Sequence, residues 1–188
     1  MSLGPTTTSG MDWNSMIGLT DRLKRDDYHR DYLLITIGSY FGLRISDLLS
    51  IKWKDVFEKD ELIIVESKTR KSRKIAINDK VKEAIHYCAS ESIDRNQFVF
   101  ANRWGGALSV SYINRCLKVI FAKYSVRVQN PSSHTLRKTF GKQIYEMDGQ
   151  SERALIYLSD IFGHSNTSIT RRYIGITQEQ IADVYLNL

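Results

Sequence analysis

Apolar residues recur at helical spacing along most of this chain. Trp13, Met16, Ile17 and the more distant Leu23 give an apolar face to a helix predicted from Asp12 to about Lys24. Tyr28 to Phe41 is a second, more apolar helix through Tyr32, Leu33, Ile35, Ile37 and Tyr40, with Gly42 at its C-cap. Ile45, Leu48, Leu49 and Trp53 keep the same period and are expected in the core. The pattern then changes. Glu61 to Glu66 is strand-like, and Arg73 to Ile77 alternates well enough to be its partner. Asp79 to Ser90 returns to helical spacing, with Val81, Ala84, Ile85 and Cys88 inward. Phe98 to Phe100 reads as a short strand or extended piece, and Gly105-Gly106 as a loop. Ser109 or Ser111 caps a helix to Tyr124. Its core stripe is Ile113, Leu117, Ile120 and Phe121, and its polar stripe holds Tyr112, Asn114, Arg115 and Lys118.

Pro131 stops whatever precedes it, and Ser132 or Ser133 caps a helix from about His134 to Met147. Leu136 and Phe140, four apart, share its apolar face; His134 and Arg137, three apart, share another. A helix from Ser151 or Glu152 to Ile161 follows, with Ala154, Leu155, Leu158 and Ile161 inward and Gly163 as its stop. Thr167 to Tyr173 is a short helix broken near Gly175. Thr177 caps a last helix, Gln178 to Leu188, with Ile181, Val184, Tyr185 and Leu188 apolar. The fold class is therefore α+β, mainly α-helical with a small antiparallel sheet. Met1 to Gly10 is Ser/Thr/Gly-rich and is set aside as a disordered tag or linker remnant, which leaves 11–188 as one domain.

Composition narrows the function class only a little. Hydrophobic residues make up 42% of the 188, enough for a core, and no apolar run approaches bilayer length. A net charge of +6 favours polyanionic partners, nucleic acid first. Cys88 and Cys116 flank no His cluster and offer neither a disulfide framework nor a zinc spacing, so they read as buried free thiols in a reducing cytoplasm. No carboxylate cluster has metal-binding spacing, and no metal or cofactor is expected.

The chemistry begins at His134 and Arg137, where one helical turn pairs a proton-transfer group with a planar phosphate clamp. Alone, the pair reads first as a surface His and a solvated Arg. Arg44 follows Gly42-Leu43 between two helices, as a helix-end cation or as an Arg pointing into a cleft. Between the two strands lies Ser67-Lys68-Thr69-Arg70-Lys71-Ser72. From Glu66 to Lys74 there are five basic residues and one acidic, which suits a DNA backbone and equally a solvated turn.

Together these stretches resemble the tyrosine recombinase (phage integrase) family. The resemblance rests on Gly42-Leu43-Arg44-Ile45-Ser46-Asp47-Leu48-Leu49, the Lys68 hairpin, His134-Thr135-Leu136-Arg137, Gly163-His164-Ser165 and Tyr173, and covers roughly Asp12 to Tyr185. Lys138 stands where many members have His, Phe162 where Leu usually precedes Gly-His, and Ile174-Gly175 where Thr-His often follows the tyrosine. The family's usual N-terminal DNA-clamping domain has no counterpart in these residues.

The resemblance implies attack by Tyr173 on a DNA phosphodiester. It makes Arg44 and Arg137 the clamp on the non-bridging oxygens, His164 a further donor to them, His134 the acceptor of the phenol proton and Lys68 the general acid. Tyr185 and Tyr157 compete with Tyr173 but fall at apolar helical positions expected in the core. Lys71 and Lys74 compete with Lys68. Asp47 is expected to orient Arg44 or His134, or simply to be an acid near a helix start. Arg70, Lys71, Arg73, Arg115 and Lys118 are the candidate DNA contacts. The implied partners are double-stranded DNA with specific recombination sites and a homotetramer in the full-length protein, in a bacterial or phage cytoplasm at the nucleoid. Type IB topoisomerase-like relaxation and a non-catalytic DNA-binding regulator are the alternatives.

Overall fold

A computed structural model describes residues 7–68, 70–90, 93–176 and 185–186. Among these residues the chain forms nine helices and one two-stranded antiparallel sheet. Helix α1 (Trp13–Arg25) starts where the Asp12 carboxylate accepts from Ser15 N. Helix α2 (His29–Phe41) is buried from Asp31 to Ser39 and packs on α1, α5 (Asp79–Cys88) and α7 (Ser133–Met147), so it is the central post of the fold. It ends at Gly42, in the left-handed region at φ 56°, where a side chain would meet the Phe140 ring. That tight exit places Arg44 directly before α3 (Ile45–Leu49), and α4 (Trp53–Val56) follows.

Strands β1 (Glu61–Val65) and β2 (Ser72–Ala76) pair in register from Glu61 opposite Ala76 to Val65 opposite Ser72. Helix α6 (Val110–Lys123) is capped by Ser109, α8 (Glu152–Phe162) by Ser151 and α9 (Thr167–Ile174) by Asn166. Gly163, at φ 63°, closes α8.

Two apolar clusters sit on either side of α7. The larger joins Met16, Leu19, Leu33, Ile37, Ile85 and Leu117 with Leu136. The smaller joins Leu155, Leu158, Phe162 and Ile174, with Phe140 and Tyr173 against it. Leu136 and Phe140 therefore divide between two clusters instead of sharing one face, because α7 is covered on both sides.

Several expectations need correction. Phe98 to Phe100 is not a strand: Lys52–Phe98 and Ala101–Ala107 are isolated bridges, and the neighbouring Trp53 and Lys54 amides donate to Gln97 O and Arg95 O instead. Tyr157 and Tyr185, expected in the core, are 55% and 75% exposed. Cys88 and Cys116 are free but only half-buried, and burial pushes the Cys88 thiol up to about 12. Residues 8–10 are not detached. Ser9 N donates to Gln129 O (3.0 Å), Thr8 Oγ1 to Asn130 O (2.7 Å) and Lys138 Nζ to Thr8 O (2.6 Å), so this segment straps the start of α7. The expected last helix, Gln178 to Leu188, lies outside the described residues except at 185–186, which are helical.

Gly141 marks the closest approach of α7 to the smaller cluster: a Cβ there would lie 2.7 Å from Ile174 Cγ2 and 2.9 Å from Phe162 Cζ. Gly141→Ala is expected to cost about 1–3 kcal/mol by overpacking. Thermal unfolding checks this, and an unchanged Tm would mean that α9 can move away freely.

Candidate active site

The cleft is assembled from chain segments remote in sequence. The α2–α3 junction brings Leu43, Arg44, Ile45 and Ser46; the hairpin brings Lys68; α7 brings His134 and Arg137; the α8–α9 turn and α9 bring His164 and Tyr173. The last residue of α8 holds the two arginines. Phe162 O accepts from Arg44 Nη2 at 2.9 Å and from Arg137 Nη2 at 3.0 Å. A helix C-terminus has carbonyls without intrahelical partners and the negative end of the helix dipole, so it can keep two guanidiniums together against their repulsion. Arg137 also donates to Gly42 O and stacks over the Phe162 ring at 4.3 Å. It is 4% exposed. Burial above all, helped by repulsion from Arg44 and Arg73, brings it from 12.5 to about 10, so it stays charged at neutral pH.

Tyr173 OH lies 3.3 Å from His134 Nδ1. Burial pushes the His134 pKa below 6.5, and the charges of Lys138 and Arg137 push it further. Burial raises the Tyr173 pKa, opposed by the charge and hydrogen bonding of Arg137 and by Arg44. Near neutral pH the pair is thus a protonated phenol beside a neutral imidazole, the state from which a proton can pass to nitrogen. The pKa of His164 is lowered, first by burial and then by Arg137, Arg44 and Lys68. Its Nδ1 lies 2.8 Å from Thr170 Oγ1.

The expected site residues fall into two groups. Arg44, Lys68, His134, Arg137, His164 and Tyr173 line one cleft. Asp47 is buried, but its carboxylate bonds neither the Arg44 guanidinium nor His134; only its backbone N–H reaches Arg44, at the carbonyl oxygen (3.0 Å). Its Oδ1 accepts from Ser67 N (2.9 Å) and from the Ser67 hydroxyl, so it ties down the hairpin next to Lys68. The Arg44 partner is Glu66, at 2.7 Å. Arg73 turns inward as well: it donates to Phe41 O (3.1 Å) and Ile161 O (3.3 Å) and lies 3.6 Å from Glu66. It belongs to the floor of the site and not to an outward basic surface. Arg70 and Lys71 are exposed at the hairpin tip, and Arg115 and Lys118 on α6. Among the described residues no group of His, Cys, Asp or Glu could hold a metal ion.

Three residues close to the site were missed. Glu66 had a signal, as the one acid in the basic hairpin. Lys138 had one too, in its departure from the family pattern; it is buried, with Nζ 5.1 Å from the Tyr173 ring centre. Thr170 had none.

This fold and this clustering define a class, the tyrosine recombinase catalytic domain. The chain belongs to the phage integrase family, whose model matches residues 11–180. It is 38% identical over 157 residues to the probable integrase/recombinase YoeC of Bacillus subtilis, covering 83% of each chain. It is 24% identical over 155 residues to the tyrosine recombinase XerH of Campylobacter jejuni, covering 81% of this chain and 43% of that one. It thus spans less than half the length of that relative, and about half that of the Xanthomonas axonopodis XerC. Two solved structures share the fold. XerA recombinase aligns at TM-score 0.72 and 19% identity, over all of this chain and 65% of its own. The Tn1549 transposon integrase with transposon right end DNA aligns at 0.74 and 18%, over all of this chain and 67% of its own.

Glu66→Ala removes the carboxylate paired with Arg44 and Arg73. Leaving two part-buried cations behind is expected to cost about 3 kcal/mol, and Glu66→Gln less. Urea unfolding measures both; equal stability of Glu66→Ala and wild type would show that the ion pairs contribute nothing.

Proposed function

We propose that this chain performs site-specific DNA recombination by cutting and rejoining strands through a covalent link to Tyr173. The observation that carries the reading is a phenol 3.3 Å from a neutral imidazole, beside two guanidiniums bound to one carbonyl oxygen. Each arginine spends only part of its donor set on protein acceptors, which leaves N–H groups for the non-bridging oxygens of a phosphate. They offset the charge that builds on phosphorus as the tyrosine oxygen attacks.

The Tyr173 O–P bond forms, the P–O5′ bond breaks, and the phenol proton passes to His134. Lys68, at the exposed hairpin turn over the cleft, supplies the proton that the departing 5′ oxygen needs. The product is a 3′-phosphotyrosine and a free 5′-hydroxyl. Attack by another 5′-hydroxyl reverses the steps, and the conserved bond energy makes ATP unnecessary. Arg70, Lys71, Arg115 and Lys118 carry duplex contacts in this reading, and four protomers assemble on two recombination sites in the bacterial or phage cytoplasm. The solved XerH recombinase bound to its difH substrate and the Tn1549 integrase in complex with transposon right end DNA support a duplex partner.

Incubation with a library of nicked suicide duplexes carrying randomised inverted repeats tests the proposal. A denaturing gel is expected to show a covalent protein–DNA adduct that Tyr173→Phe abolishes without weakening duplex binding. Arg137→Lys is expected to slow adduct formation by roughly a hundredfold, because it breaks the fork that binds Phe162 O and the phosphate together. No adduct from any pool would refute the proposal.

His134 must be neutral to accept the proton. Its pKa lies below 6.5, so cleavage is expected to fall only as pH drops through that lowered value, and His134→Gln to lose this acid limb. A wild-type acid limb above pH 6.5 would contradict the assignment.

A further inference from the structure

His164 ends a chain of hydrogen bonds whose direction follows from counting protons. Its Nδ1 lies 2.8 Å from Thr170 Oγ1, Thr170 Oγ1 lies 2.8 Å from Ser159 Oγ, and Ser159 Oγ donates to Leu155 O at 2.8 Å. A carbonyl oxygen only accepts, so the one Ser159 hydroxyl proton is committed to Leu155. The Thr170–Ser159 bond must then use the Thr170 proton. With that proton gone, Thr170 can only accept from His164, and Nδ1 must carry a hydrogen. Thr170 is fully buried and Ser159 nearly so.

We propose that the Thr170–Ser159 pair locks His164 as its Nδ1–H tautomer, so that its other nitrogen donates to the scissile phosphate only when the ring is protonated. Thr170 and Ser159 are then positioning residues that act through His164. A neutral ring in this tautomer turns a lone pair on Nε2 toward the cleft, and a lone pair facing phosphate oxygens repels them. Phosphate binding therefore takes up a proton at His164.

The charges around the ring bear on that uptake from each neighbouring element. Arg44, Lys68 and Arg137 face it from the cleft and oppose protonation. The Tyr173 and Phe162 rings flank it at 5.4 Å. The pocket on its other side holds Glu66, Lys71, Arg73 and Asp160. The bound phosphate supplies the anion that reverses the balance. His134 and His164 thus work in opposite states, neutral and charged, which gives strand cleavage a bell-shaped pH profile with His164 on the alkaline limb.

The tautomer stands independently of function, while its catalytic consequence rests on the proposed strand cleavage; two measurements keep these apart. The first uses the full chain without DNA. Imidazole 15N spectra at about pH 8, where ordinary histidine is neutral, are expected to show a pyrrole-type Nδ1 and a pyridine-type Nε2 for His164, assigned through His164→Gln. Ser159→Ala leaves the His164–Thr170 contact in place but frees the Thr170 proton to point at Nδ1. The lock is then lost, and the Nε2–H form is expected to appear; Thr170→Val does the same by removing the acceptor. An Nε2–H tautomer in the wild type, or an unchanged spectrum in Ser159→Ala, would overturn the proposal.

The second measurement is the pH profile of adduct formation on the duplex that the randomised selection enriches. Ser159→Ala is expected to move the alkaline limb upward or erase it, because a neutral ring can then donate. A merely structural role for Ser159 would lower the rate equally at all pH values, and that result would overturn the catalytic consequence. A wild type that forms no adduct would instead refute the proposed function.

Discussion

The carbonyl oxygen of Phe162 carries the site. Two guanidiniums remote from each other in sequence meet on it, within 2.9 and 3.0 Å. Like charges so close repel, and burial makes the repulsion stronger. A fixed dipole at the end of α8, the carboxylate of Glu66 and the Gly42 carbonyl offset it before any substrate arrives. In the proposed reaction the arrangement needs no reorganisation to receive a phosphate, which is the sense in which such a site is pre-organised.

That oxygen is held in place by packing. Gly163 lets α8 stop at Phe162, and the Phe162 ring sits inside the smaller apolar cluster against Phe140 and Tyr173. Gly42 makes the exit from α2 tight enough to leave its own carbonyl within reach of Arg137 on α7 and Arg44 within reach of Phe162 O. The proposed nucleophile belongs to the same cluster as the proposed clamp: Tyr173 packs on Phe162 at 5.3 Å. A shift of α9 against α7 would therefore disturb the tyrosine and the phosphate clamp together.

Much of this was legible in sequence, because it is local. The helix starts near Ser109 or Ser111, at Ser132 or Ser133 and at Ser151-Glu152, the stop at Gly163 and the helical spacing of Leu155 and Leu158 follow from short-range rules, and the structure picks Ser109, Ser132 and Ser151 as the caps. The family pattern put six candidate groups in one set, and the structure lines one cleft with them. What could not be read was pairing across the fold. Asp47 lies three residues from Arg44, yet it serves Ser67, while the Arg44 partner arrives from 22 positions away. Arg73 looks like its outward neighbours in sequence, but strand alternation turns it under the site. Tyr157 and Tyr185 fit a helical period and still face solvent, since period alone does not say whether a face finds a partner. The strap at residues 8–10 has the composition of a loose tail; its order comes from hydrogen bonds to segments about 120 residues away.

The account is tested most directly by locating the covalent bond. Tandem mass spectrometry of the trapped adduct, after nuclease and protease digestion, is expected to find the nucleotide on the peptide containing Tyr173, with the phosphate on its phenolic oxygen. The same modification on Tyr157 or Tyr185, both well exposed, would contradict a site built around the Phe162 carbonyl.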